Sequence, residues 1–215
     1  MRLYLSSYGV GNYGERLVAL VGANKKVAII LNAGDHKTDS PHEERLAEEM
    51  SALSTLGFDA EELDLRQYFG KPDALRERLA LYGLVWIRGG NVFVLERAFH
   101  ASGFDAVIKD MLAQDSIVYG GYSAATCLAT PSLRGGDLVD DPDIVPDGYE
   151  KQFRWEALGL IGYEVAVHYK SDHYESAIIE QEVAYYETNN IEYKTLRDGE
   201  VIVVDGEKEE ILRLN

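Results

Sequence analysis

The chain has 215 residues, 46% of them apolar, and its 37 acidic against 21 basic side chains give a formal charge of −16. That much apolar material builds a core and excludes disorder as the main state, and the length suits one domain over residues 1–215. So acidic a surface repels nucleic acid and anionic membrane, so neither is expected as a partner. No 18-residue apolar run is present to cross a bilayer. The single cysteine, Cys127, excludes an internal disulfide and a cysteine-built zinc site. The opening stretch MRLYLSSYGVGNYG reads as a strand and a Gly-rich loop, not as the apolar core of a signal peptide, so a cytoplasmic protein is expected.

Short apolar runs alternate with helical patterns along the chain: RLYL (2–5), KVAIIL (26–31), LVWI (84–87) and SIVY (116–119). Each is nearly continuous in apolar residues, as a strand covered on both faces requires. After the second run, Ser40 and Glu43 pair as a capping box and Pro41 takes the first helical position. Leu46, Met50 and Leu53 then form an apolar stripe, with Gly57 as the C-cap. Further helices are expected over 72–82 and 104–114. The segment PSLRGGDLVDDPDIVPDGYE (131–150) is rich in Gly, Pro and Asp and reads as a long loop. A strand near 163–168, a helix near 174–187 and a C-terminal meander follow, punctuated by turns at Asp198-Gly199 and Asp205-Gly206. The predicted fold class is α/β: a three-layer sandwich with a mostly parallel central sheet and antiparallel C-terminal strands.

The chemistry concentrates in SIVYGGYSAATCLATPSL (116–133). An apolar strand ends in Gly120-Gly121, Ser123 stands at the turn, and a helix starts with Ala124-Ala125-Thr126, the layout of a nucleophile elbow. A serine on a sharp turn needs small neighbours, and the helix N-terminus behind it offers free N–H groups to a developing oxyanion. The full motif has Gly where this chain has Ala125, and the same pattern also describes an ordinary serine N-cap. A second strand–loop–helix, LVWIRGGNVFVLERAF (84–99), carries Gly89-Gly90-Asn91, where paired glycines let backbone amides approach a ligand. Neither a G-x-G-x-x-G fingerprint nor a P-loop is present.

A nucleophilic serine needs a base, and the histidines are His36, His42, His100, His168 and His173. His100 lies on a helix, and His36 and His42 with Asp35 make only a weak metal-binding pattern. His168, at the end of an alternating strand, is the better base, with His173 close by. An acid to orient the imidazole has candidates in Asp137, Asp140, Asp141, Asp143 and Asp147. Cys127, one helical turn after Ser123, reads as packing. Only 92 residues (215 − 123) follow the serine, short for an α/β-hydrolase.

IRGGNVFVL, GYSAATCLATPSLR and the downstream VHY together resemble the S51 serine peptidases, the peptidase E (aspartyl dipeptidase) and cyanophycinase group. The resemblance runs from about residue 85 to 176. It implies a class I glutamine amidotransferase-like fold with serine in place of cysteine, Ser123 as nucleophile and His168 as general base. Gly89, Gly90, Asn91 and Ala124 would form the oxyanion and substrate-binding wall, with amides of Gly90 and Ala124 as donors. The family's acid lies shortly after the serine, and Asp137 matches that position best, with Asp140 second. Recognition of an aspartyl unit implies a nearby cation, for which Arg88, Arg134 and Lys170 are candidates. The family usually shows Ser-Ala-Gly, so Ala125 is a departure.

The expected function is therefore a serine-type hydrolase of small peptides or amides, including N-terminal Asp-Xaa dipeptides, working through an acyl-enzyme without metal or cofactor. The competing reading is a ligand-binding module of the same fold that no longer turns substrate over. An amidotransferase-like subunit is disfavoured by serine at the nucleophile position. The tyrosine-rich segment around Tyr185 and Tyr186 marks a candidate homodimer face.

Overall fold

Seven strands form the central sheet in the computed structural model, which describes residues 1–38 and 41–214. Their order is β3 (Asp59–Glu62), β2 (Lys26–Ile30), β4 (Leu84–Ile87), β5 (Val118–Tyr122), β1 (Arg2–Ser6), β8 (Val201–Asp205) and β9 (Lys208–Leu212). The first five are parallel, whereas β8 pairs antiparallel with β1, and β9 antiparallel with β8. The alternation of a strand sends Leu3 and Leu5 of β1 into one apolar cluster and Tyr4 into the other. Helices α3 (Pro72–Leu79), α4 (Val92–Ser102), α5 (Phe104–Ala113) and α6 (Ala124–Leu128) cover the first face; α1 (Gly14–Val21) and α2 (His42–Thr55) cover the second. The fold is the α/β sandwich with a mostly parallel sheet and antiparallel C-terminal strands that the apolar runs predict.

Several boundaries differ for identifiable reasons. Strand β5 begins two residues later than SIVY and includes both Gly120 and Gly121. A Cβ on Gly121 would stand 2.4 Å from the Ile87 carbonyl oxygen, so only glycine lets β4 and β5 pair there. Pro41 precedes α2 instead of opening it, and Ser40 of the expected capping box lies outside the described residues. The α2 stripe is also corrected: Leu53 is buried, but Met50 is 40% exposed while Glu49 is 5% exposed. Glu49 is drawn inward by three donors, Trp86 Nε1 (2.8 Å), Tyr122 Oη (2.7 Å) and Arg88 Nη1 (2.8 Å). Strand β3, whose sequence DAEE carries no apolar signal, is a charged edge strand.

The C-terminal part departs most from expectation. The strand near 163–168 shortens to β6 (Glu164–Ala166), which pairs in parallel with β7 (Tyr193–Thr195) in a separate two-stranded sheet. Helix α7 (Ser176–Thr188) packs on it through Ile179, Val183 and Tyr186 around Ala166. The turn between β8 and β9 is Gly206-Glu207, one residue later than the expected Asp205-Gly206, because Asp205 still pairs with Lys208. No helix among the described residues is long and apolar enough to cross a membrane.

Candidate active site

The site lies at the carboxyl ends of β1, β4 and β5, where loops of a parallel sheet gather ligands. Ser123, between β5 and α6, has φ 53° and ψ −115°, a conformation that non-glycine residues rarely adopt. Its amide donates to the Ser6 carbonyl oxygen (3.3 Å), and its own carbonyl accepts from the Thr126 and Cys127 amides (2.8 and 3.0 Å). Thr126 Oγ1 adds a bond to the same Ser6 oxygen (2.7 Å). The turn is thus held from both sides, yet the serine side chain caps no amide of the helix it heads. That separates it from an ordinary N-cap, whose hydroxyl is consumed by the helix.

Gly89 lies directly against this serine. A Cβ there would stand 2.7 Å from Ser123 Cβ and 3.2 Å from Oγ, so no larger residue fits. Gly90 has φ 153°, and a Cβ on it would meet the Ala33 carbonyl oxygen at 2.6 Å. Asn91 is consumed structurally: its Oδ1 caps α4 through Phe93 and Val94 amides (2.9 and 3.0 Å), and its Nδ2 donates to the Asp141 carbonyl (3.0 Å). It shapes the Gly-Gly loop and leaves the amides of Gly90 and Ala124, which are committed to no backbone acceptor among the described residues.

His168 lines the same open cavity as Ser123, a space of about 420 Å³. Its ring is 1% exposed and its Nδ1 lies 2.7 Å from Asp198 Oδ1. Ser7 Oγ donates to the same carboxylate oxygen (2.8 Å) and accepts from the His168 amide (2.8 Å). The Asp198 amide in turn donates to Ser171 Oγ (2.8 Å). Burial pushes the His168 pKa below the usual histidine value, against the upward pull of Asp198. His173 stacks flat on His168, with ring centroids 3.8 Å apart, and Tyr8 meets both rings.

Asp137, the acid expected from its distance to Ser123, is not beside the histidine. It sits in a 3₁₀ turn, Gly136–Leu138, and lines a separate depression with Arg134, Trp155 and Tyr185. Asp140, the second choice, does reach the cavity, where its Oδ2 accepts from the Val92 amide at the start of α4 (2.7 Å). Its pKa is raised to about 7, chiefly by desolvation. The carboxylate at the imidazole belongs to Asp198, which sequence reading treats only as half of an Asp-Gly turn. An aspartate before glycine in a C-terminal loop carries no sign of this role, because its histidine partner is 30 residues away.

The expected cations are dispersed. Arg88 borders the open cavity but is paired with Glu48 (2.9 Å) and Glu49 (2.8 Å). Arg134 faces the outer depression, and the Lys170 ammonium lies over the Tyr169 ring. Lys37 and His36 line the open cavity instead. His42 is bound to Glu62 (2.6 Å), away from Asp35. Cys127 lines a narrower cavity behind Ser123, and burial holds its thiol well above the usual range, leaving it a poor nucleophile. The ligand atoms of His168, His173 and Glu175 lie within 4.8 Å of one another, close enough for a divalent cation. The Glu175 amide, however, already points at His173 Nδ1 (3.3 Å).

The family model for peptidase family S51 matches residues 11–212. The chain belongs to peptidase family S51. Membership places it among the serine-type peptidases, which are hydrolases. This S51 peptidase is 31% identical over 178 residues to a Drosophila melanogaster protein described as "Probable alpha-aspartyl dipeptidase", covering 78% of this chain and 66% of the fly protein. It is 26% identical over 157 residues to an uncharacterized peptidase of Listeria innocua, covering 73% of this chain and 71% of that one. Its fold is similar to that of a protein described as a peptidase E from Listeria monocytogenes EGD-e, with a TM-score of 0.81 at 21% identity over 100% of this chain and 98% of the other. A peptidase from an acI-B1 Actinobacterium follows at 0.69 and 12%, covering 99% and 87%.

Proposed function

We propose that this S51 peptidase cleaves short peptides through a Ser123–His168–Asp198 triad. The observation that carries the reading is the 2.7 Å contact between His168 Nδ1 and Asp198 Oδ1, made by a histidine that shares a cavity with a serine held at positive φ. Asp198 accepts a hydrogen bond from Nδ1–H, which keeps the proton on Nδ1 and leaves Nε2 unprotonated and able to serve as base. Ser123 Oγ attacks the scissile carbonyl carbon while His168 Nε2 takes the hydroxyl proton. The carbonyl oxygen gains negative charge within reach of the Gly90 and Ala124 amides. Collapse breaks the C–N bond, the imidazolium returns its proton to the leaving amine, and an acyl-enzyme remains. Water repeats the sequence, giving its proton to His168 and releasing the acid and free serine.

The borders of the cavity support a short substrate. Tyr8, His173 and Tyr174 border it on the side of the histidine, and Ile144 and Asp141 on the side of the long loop. A peptide is held between these walls, with Lys37 available to a terminal carboxylate. The class of molecule it acts on is a small peptide, in a soluble compartment such as the cytoplasm.

The test compares wild type with Ser123→Ala, Asp198→Asn and Asp137→Asn on a dipeptide library, with products identified by mass spectrometry. Ser123→Ala is expected to abolish turnover, and Asp198→Asn to lower kcat by roughly 10²–10⁴-fold, because the wrong imidazole tautomer is favoured. Asp137→Asn is expected to retain activity. Equal losses in Asp137→Asn and Asp198→Asn would reject the assignment of the acid. Ligand binding without any Ser123-dependent product would favour the non-catalytic module.

A further inference from the structure

Behind Ser123 the open cavity narrows into a second space of about 40 Å³ that also begins at Ser123 and Ala124. Among the described residues four carboxylates line it, those of Asp140, Glu164, Glu175 and Glu182, and no lysine or arginine does. Asp140 and Glu175 border both spaces, whereas Glu164 and Glu182 belong to the inner one alone. Val139, Val165 and Ile179 supply apolar wall between the two levels.

Among the described residues Glu164 and Glu182 are held by hydrogen bonds and not by opposite charge, whereas Glu175 Oε2 faces His168 Nε2 (3.9 Å) and His173 Nδ1 (3.7 Å). Glu164 Oε1 accepts from the Ser132 amide and hydroxyl (3.1 and 2.8 Å). Glu182, 4% exposed, accepts from Tyr186 Oη through Oε1 (2.8 Å), and among the described residues its other oxygen takes no hydrogen bond. Glu164, Asp140 and Glu175 all raise the proton affinity of Glu182, after desolvation has done the most. Lys37, on the open side, is the cation that bears on Asp140. Buried carboxylates without a partner are costly, and a matching cation removes much of that cost.

We propose that this inner space is an acyl-side subsite for a primary ammonium, so that the enzyme releases an N-terminal lysyl or ornithyl residue and rejects an aspartyl one. The proposal rests on the reading of Ser123 as nucleophile. The α-ammonium of the substrate lies at the mouth between Asp140 and Glu175. The aliphatic stem follows the valine and isoleucine wall, and the side-chain ammonium meets the free oxygen of Glu182 beside Glu164. A linear stem fits a narrow space that a guanidinium would overfill. An aspartyl side chain would instead bring a fifth carboxyl group among four. The formal charge of −16 favours the same substrates at encounter, since it attracts cationic peptides.

The experiment measures kcat/KM of wild type, Glu182→Gln and Glu164→Gln on Lys-Ala, Ala-Ala and Asp-Ala, with released amino acids quantified by mass spectrometry. Wild type is expected to prefer Lys-Ala over Asp-Ala by about a hundredfold or more, since like charges juxtaposed in a buried site are strongly disfavoured. Glu182→Gln keeps an acceptor for Tyr186, and its Lys-Ala to Ala-Ala ratio should fall roughly tenfold or more. Glu164→Gln, which keeps its bonds from Ser132, should lower the same ratio and serves as second variant should Glu182→Gln not fold. In parallel, wild type and Ser123→Ala are treated with a small uncharged organophosphate, and labelling is read by intact mass. Labelling of Ser123 without preference for Lys-Ala, or an unchanged ratio in both variants, overturns the subsite and leaves the peptidase reading standing. Neither labelling nor cleavage overturns both.

Discussion

The electrostatics of His168 make a direct prediction about pH. Burial is the largest influence on its ring and favours the neutral form, while Asp198 and Glu175 pull the other way. The net effect is a pKa below the ordinary histidine value near 6.5. A general base must be unprotonated, so the reactivity of Ser123 should hold its plateau through pH 6.5 and fall only at lower pH. The pH dependence of Ser123 labelling by the uncharged organophosphate, which makes no demand on the acids of the inner space, checks this; an acid limb centred above 6.5 would contradict it. Ser7 belongs to the same argument, because one hydroxyl bridges the His168 backbone and the Asp198 carboxylate. It is a positioning residue, legible in the sequence only as the end of a strand.

Helix α2 shows how an element is oriented by a polar group. Its apolar positions alone would turn Met50 inward, yet Glu49 occupies the buried side and joins Trp86 of β4, Tyr122 of β5 and Arg88 after β4. Replacing Glu49 by Leu would leave the Trp86 and Tyr122 donors without an acceptor and Arg88 with Glu48 in place of two carboxylates, which costs about 3–5 kcal/mol. Met50→Gln, on the exposed side, should stay within about 0.5 kcal/mol of wild type. Denaturant unfolding of the two variants decides between these values, and equal losses would show that the stripe, not the carboxylate, orients the helix. Because Tyr122 immediately precedes Ser123, the same carboxylate also anchors the strand end that carries the elbow.

Across the whole molecule, the buried acids set how stability responds to pH. Asp140 and Glu182 are both raised to about 7, principally by desolvation. The folded state therefore holds more protons than the unfolded chain from the ordinary carboxyl range up to pH 7, and stability falls as pH rises through that window. His168 acts in the opposite sense, since its lowered pKa makes stability rise as pH climbs toward 6.5. Glu182→Gln separates the two: its thermal midpoint should exceed that of wild type by more at pH 8 than at pH 5. A midpoint at or below wild type at pH 8 would show that Glu182 is not held against its charge. In the wild type the stability lost at high pH is the counterpart of an acidic pocket kept ready for a cation.

The sequence by itself determined whatever is encoded over a few adjacent residues. Unbroken apolar runs marked β1, β2 and β4 as strands covered on both faces, and Gly-x-Ser followed by small residues marked the elbow at Ser123. The paired glycines at 89 and 90 were legible for the same reason, since close backbone approach requires them wherever the chain leads. Only the tertiary structure decided what depends on distant segments meeting. Asp198 reaches His168 because β7 leaves the main sheet and pairs with β6, which turns the following Asp-Gly loop toward the site. Asp137, nearer in sequence to Ser123, is carried outward on its 3₁₀ turn. Glu164, Glu182 and Asp140 come from a strand, a helix and a loop, and their shared cavity exists only once α7 packs on the small sheet. Local periodicity is a property of neighbouring side chains, whereas the direction in which a carboxylate points is set by what the folded chain places against it.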